Sequence, residues 1–244
     1  MAPQPLSRSK AQDYVASLDM LPGREKQIAL AMQAIAGWAR IEAELGIMFA
    51  SLVGAREPSA MSLYAAVRSF DVQRTLLETA ARELLPTRYA DMVLAVLIVV
   101  ARAAVIRHKF AHWMWGALRD LPDALLLIDP KCLWRRRVAY LQYWKRKRKY
   151  SMDPQVILDT PDYDLSLMTV YRTQDLIEIK ERIKKSTAYV SLIHEIVLVG
   201  ASERRRIYNK LCGEPEIQKA LQAHQEAQGR GRKALRTSRA KGSP

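Results

Sequence analysis

Apolar positions recur along most of this chain at helical spacing. From Arg24 to Val53 one line runs Ala34, Trp38, Ile41, Leu45, Met48, Leu52, and a second runs Ile35, Trp38, Glu42, Leu45, Phe49, Leu52. Together they make a wide apolar face, which predicts an amphipathic helix with Pro22 before it and Gly54 after it. Glu42 falls inside or at the edge of that face. A second helix is expected over "EPSAMSLYAAVRSFDVQRTLLETAARELLP", capped by Ser59 and ended by Pro86. Thr87 then caps a third, from Arg88 to Ala111, whose middle is apolar on nearly every side and is therefore the most buried.

The pattern then changes. Gly116, Pro122 and the apolar run Ala124–Ile128 predict two short strands in a small hairpin. Between Pro130 and Tyr171 the pattern is mixed, so irregular structure with a short helix is expected. Helical spacing returns from Gln174 to Val199, with Leu176, Ile179, Ile183, Tyr189, Val190, Ile193 and Val197 on one face and Gly200 as a stop. Two short surface helices follow over 201–228. The fold class is mainly α: four long helices, as in a four-helix bundle, with a small β-hairpin and irregular insertion between the third and fourth. Residues 1–20 are expected to be flexible, 21–200 to form the helical domain with its insertion at 130–171, and 229–244 to be a disordered basic tail.

Charge sharpens this division. The net charge is +14, yet residues 134–150 hold eight Lys or Arg and no acid, and residues 230–244 hold six and no acid. These two blocks account for the whole excess. Such blocks suit a polyanion or an acidic surface. Composition excludes other classes. Cys132 and Cys212 form no CxxC and no cluster, so neither a disulfide framework nor a cysteine zinc site is expected, which fits a reducing cytosol. The N-terminal stretch "MAPQPLSRSKAQDY" lacks an apolar core, so no secretory signal is expected. The longest apolar run, Met92 to Ala101, is ten residues and Arg102 follows it, against the ~20 that a membrane span requires. A cytoplasmic protein without a membrane partner is expected.

The candidate chemistry sits where the third helix ends. In "AVIRHKFAHWMWG", Arg107 is followed at once by the polar His108 and, five positions on, by His112. This resembles the R-polar-x-x-x-H signature of the HEPN superfamily (higher eukaryotes and prokaryotes nucleotide-binding domains). "GWARIEAELGIMFASLVG" and "LYAAVRSFDVQRTLLETAA" are similar to the first two helices of bacterial HEPN-like proteins. The resemblance covers about residues 24–116 and, by role, the fourth helix; it does not reach the basic block or the tail. His108 departs from the commonest pattern, where Asn stands at that position.

The resemblance implies a metal-independent endoribonuclease without cofactor, acting as a homodimer whose two motifs meet at the subunit interface. A role as a toxin or antiphage-defence effector, restrained by an antitoxin or other inhibitory partner, is implied on the same ground. Its chemistry suits the residue types. His112 can move protons near neutral pH, Arg107 can hold phosphate oxygens with a permanent forked charge, and His108 can orient or share the proton work. Glu42 could pair with Arg107 or orient a histidine. The plainer reading makes Arg107 and His112 a polar helix end and Glu42 an edge residue that reaches water. A metal held by the His108/His112 pair has no HExxH and no evident third ligand.

Spacing adds a constraint. On a regular helix Arg107 and His112 lie about 140° apart, whereas His108 and His112 share a face. Either the helix distorts at His112 or two subunits complement each other. The basic block interleaves cations with aromatics, which suits single-stranded RNA. Its candidate RNA contacts are Arg135, Arg136, Arg137, Tyr143, Trp144, Lys145, Arg146, Lys147, Arg148 and Lys149. The rival to the nuclease is a catalytically inactive HEPN-like dimeric module that binds nucleic acid or a partner protein. A DNA-binding regulator lacks a helix-turn-helix.

Overall fold

The computed structural model describes residues 3–9, 14–15, 21–55, 57–147 and 164–227; of residues 14, 15, 57, 146 and 147 it describes the backbone alone. Strands β1 (Gln4–Pro5) and β2 (Tyr14–Val15) precede helices α1 (Glu25–Val53), α2 (Glu57–Ala66), α3 (Phe70–Leu84) and α4 (Thr87–His112). Then come β3 (Met114–Leu118), β4 (Ala124–Ile128), α5 (Pro130–Lys147), β5 (Met168–Arg172), α6 (Thr173–Leu198), α7 (Ala201–Cys212) and α8 (215–227). The protein is mainly helical with one small antiparallel sheet. It divides into two compact units: residues 1–35 with 106–181, and residues 36–105 with 182–244.

The first unit is built on the sheet, ordered β1-β5-β4-β3-β2 and antiparallel at every pairing. The expected hairpin is β3 and β4, with Met114 opposite Ile128 and Gly116 opposite Leu126. Every residue of β4 is buried, as an uninterrupted ALLLI run requires of a strand covered on both faces. The sheet is larger than the hairpin because two segments join it. Residues 4–9 are not a loose lead-in: Gln4 and Pro5 pair with Val170 and Thr169 at the sheet edge, and Leu6 is buried beside Leu126, Ile128 and Val170. Nor is the described part of 130–171 irregular with a short helix, residues 148–163 lying outside the described residues. β5 pairs along the full length of β4, and α5 runs for 18 residues. Asp129 starts α5: its carboxylate accepts from the Lys131 N–H at 2.9 Å, and its carbonyl from the Cys132 N–H at 2.8 Å. Pro130 occupies the first helical position, where no N–H is needed.

One buried cation ties the hairpin to α1. Arg24, 9% exposed, donates from Nε to the Ala124 carbonyl at 3.1 Å and from Nη2 to the Leu118 carbonyl at 2.6 Å. Those carbonyls flank the β3–β4 turn. Three residues on, the Gln27 amide donates to Thr173 Oγ1 at 2.8 Å, fixing the start of α6.

The second unit is helical. On its part of α1, Trp38, Ile41, Leu45, Met48 and Leu52 are buried, as is Ala34 on the same line in the first unit, while Glu42 and Phe49 on the other line are half-buried, like Ile35 before them. α4 is long and apolar enough to cross a membrane by length and composition, and 61% of its apolar window is buried inside the protein. Met92 to Leu97 are all buried, as their uniform apolarity predicts. The expected single second helix is two helices, broken at residues 67–69. Tyr64 stacks on Phe49 at 5.4 Å and Phe70 meets Trp38 edge-on at 5.2 Å. In one continuous helix, residues six apart would lie about 240° around from each other, so both rings could not face α1. The break lets them. Gln73 braces it, donating from its amide to the Val67 carbonyl at 2.7 Å and the Tyr64 carbonyl at 3.3 Å.

Three expected helix boundaries shift. Ser59 lies inside α2 rather than capping it, and Thr87 is the first residue of α4 rather than its cap, with the Pro86 carbonyl accepting from Tyr89 and Ala90. Gly200 caps the start of α7 in extended conformation instead of ending α6. Gly54, at φ +62°, closes α1 as expected, in the left-handed conformation that glycine favours. The expected tail at 229–244 lies outside the described residues.

Arg24→Ala removes both guanidinium bonds at the hairpin turn, leaving the Leu118 carbonyl only its 3.3 Å bond from the Leu121 N–H, and should cost about 1–3 kcal/mol, read by urea denaturation. A Cβ at Gly37 would stand 2.8 Å from Ile183 Cγ2, a stiff branched position, whereas one at Gly46 would meet Tyr64 at an ordinary 3.5 Å. Gly46→Ala should therefore gain about 0.5–1 kcal/mol through helix propensity. Gly37→Ala should lower stability instead, by about 1–3 kcal/mol, because overpacking outweighs that gain.

Candidate functional site

α4 stays regular to its end. The helix continues through His112, and the Trp113 N–H still donates to the Lys109 carbonyl at 2.9 Å. No distortion therefore brings Arg107 round to His112, and the two remain on different sides, about 140° apart. His108 and His112 do share a face. Both are exposed, with ring centroids 4.6 Å apart and planes at 48°. Arg107 is half-buried, and its Nε is enclosed without a hydrogen-bond partner. One chain thus presents a solvent-facing imidazole pair and, on another side, a guanidinium with an unused donor.

The residues after the motif hold this helix end in place. Phe110 is buried against the ring of Tyr171 at 5.2 Å. The Trp115 indole N–H donates to the Phe110 carbonyl at 2.9 Å, satisfying one of the carbonyls that a helix C-terminus leaves open. Lys109 Nζ lies 4.7 Å from the centre of the Trp113 ring. Both tryptophans act as packing residues. Lys109 and His112 occupy the last turn, where the negative end of the helix dipole favours positive charge. Among the described residues no group of three His, Cys, Asp or Glu side chains could hold a metal ion.

The basic block is largely helix α5, and its face divides. Cys132 is buried, and burial pushes its thiol above the usual range. Arg136 and Tyr143 are half-buried on the same side. Arg135 points out but donates to the Asp164 carboxylate at 3.1 Å. Ser166 and this guanidinium hold Asp164 below its ordinary pKa, the Ser166 hydrogen bond first. Arg137, Trp144 and Lys145 are exposed, and the Trp144 ring touches those of Tyr140 and Tyr143. The outermost line is Trp134, 73% exposed, with Val138 and Leu141. Arg146 and Lys147 continue the helix backbone; Arg148 and Lys149 lie outside the described residues.

Glu42 belongs to the second unit, half-buried on the wall of an open pocket that Tyr64, Arg68 and Gln73 also line. Two further histidines lie beside carboxylates. His224 Nε2 lies 3.3 Å from the Asp91 carboxylate. His194 places Nε2 3.2 Å from Ser51 Oγ and Nδ1 3.7 Å from Glu44. The order Ser, His, Glu resembles a nucleophile triad, but Ser51 donates to the Ile47 carbonyl within its own helix at 3.0 Å. Its surroundings are helical backbone whose N–H groups are already used, which leaves no oxyanion hole. We read it as a brace between α1 and α6. No family model matches the chain, and no curated protein or solved structure matches it.

Proposed function

We propose that the end of α4 is the active site of a metal-independent endoribonuclease of HEPN type, working in the cytoplasm as a homodimer on a four-helix-bundle framework. The observation that carries this reading is the motif's setting. Arg107, His108 and His112 stand at the end of a mostly buried, unbroken helix, with both imidazoles exposed and an Arg107 donor unused. In this reading His112 takes the proton from the RNA 2'-OH, the 2'-oxygen bonds to phosphorus, and the P–O5' bond breaks. The neighbouring imidazolium of His108 returns a proton to O5'. Arg107 holds the non-bridging oxygens as charge builds on the phosphorane. The products are a 2',3'-cyclic phosphate and a free 5'-hydroxyl. A second copy supplies the Arg107 that one chain cannot turn toward its own His112. Glu42 has no part in these steps.

The exposed cations of α5 suit the rest of the RNA strand, with phosphates neutralised and bases laid on exposed aromatics. A toxin or defence role, and an inhibitory partner, rest on the resemblance alone. The second reading, a catalytically silent binding module, draws support from the separation of Arg107 and His112 within one chain.

Mixed RNA incubated with the protein in EDTA separates the two readings. Cleavage should persist in EDTA and leave 2',3'-cyclic ends. His112→Ala should lower the rate about 10²–10⁴-fold and Arg107→Ala about 10²–10³-fold. RNA retained by gel shift but never cut by any form would support the silent module. Replacing the cations at 145–149 by Gln should weaken RNA binding without unfolding the protein. The slope of log K against log salt should shrink by about 0.7 for each lost phosphate contact. Unchanged affinity would remove this block from the RNA path.

A further inference from the structure

The second unit holds a built pocket that takes no part in the proposed cleavage. Its volume is about 380 Å³, within the roughly 300–1,000 Å³ usual for small-molecule sites. Small residues make the space: Ala43 and Gly46 on α1 face α2, where Met61 and Ala65 complete the apolar wall. The α2–α3 break shapes the far side. Gln73 holds that turn through its amide bonds to the Tyr64 and Val67 carbonyls, and Arg68 stands exposed on the lining.

Beside Gln73, three side chains on this lining make no hydrogen bond or ion pair among the described residues. Tyr64 is 3% exposed, and its hydroxyl is buried without a hydrogen bond. Burial, and then the nearby charge of Glu42, push the phenol far above its ordinary pKa, so it stays neutral and can both donate and accept. No hydrogen bond or ion pair joins Glu42 or Arg68 to another described residue. The Tyr64 hydroxyl is closed to solvent, so the half-buried Glu42 carboxylate beside it is the acceptor that a ligand donor can reach. An unpaired guanidinium on the same lining calls for an anion.

We infer that this pocket binds an amphoteric small molecule. A nitrogen-bound donor meets the Glu42 carboxylate, an anionic group meets Arg68, and an apolar or flat body lies against Ala43, Gly46 and Met61. Two sources carry that chemistry: a free amino acid, with ammonium and carboxylate, and a nucleoside monophosphate, with base N–H groups and phosphate.

Calorimetric titration and thermal melting of the full chain test this against each of the twenty amino acids and each of the four ribonucleoside monophosphates. One arm should give saturable binding and a raised melting temperature, and the responding arm identifies the source. Glu42→Gln and Arg68→Ala each remove a charge-assisted contact and should weaken that binding about tenfold or more. Ala43→Leu fills the pocket from its exposed edge and should abolish binding while leaving both polar groups in place. All three positions are exposed or half-buried, so the variants should melt near the unliganded parent. No response in either arm overturns the inference, as does binding that survives all three substitutions. The readout is ligand binding, so neither outcome depends on whether the α4 terminus cleaves RNA.

Discussion

An α-helix turns about 100° per residue, and at the end of α4 that number governs what the protein can do. Because the helix is regular through His112, the five-residue step from Arg107 separates the two side chains, while the four-residue step from His108 brings two imidazoles together. A kink would have allowed one chain to assemble Arg and His on one side. The apolar run that leads into the motif contains no Pro or Gly that would cause one. The same residues that make α4 a core helix therefore fix the motif's geometry.

The small sheet finishes that constraint. β3 begins two residues after His112, and its register with β4 is set over three residue pairs. Trp115 turns its indole back to the helix end, Phe110 is pinned on Tyr171 of β5, and Arg24 holds both ends of the hairpin turn. The first of these contacts is local, and the other two join segments far apart in sequence. The helix terminus is left little freedom to unwind, and its exposed face is the imidazole pair.

The parts legible in the sequence are those that local periodicity determines. The 3.6-residue pattern located α1, α4 and α6 to within a residue or two, and the Gly-Pro-apolar pattern located β3 and β4. Where partners lie far away, periodicity carries little. β5 is a strand because β4 offers it an edge, and the two-residue β1 is a strand because β5 offers it the next. The α2–α3 break contains no Gly or Pro; two rings that must both reach α1 impose it. α5 is different, since its Asp129-Pro130 start is a local signal that the mixed composition downstream obscured. The Arg107-His108-His112 cluster could be read directly. The pocket around Tyr64 could not, because Glu42 and Arg68 are 26 positions apart and neither belongs to a motif.

The central claim is that any chemistry at the end of α4 uses Arg107 from one chain and His112 from another. Mixing purified Arg107→Ala with purified His112→Ala, after subunit exchange, tests it most directly. Each variant alone should be inactive on RNA. In the mixture half of the dimers are mixed, and each of those regains one site with both groups intact, so about a quarter of the parental activity should return. A mixture as inactive as its components would show that both groups act within a single chain, and would contradict the account.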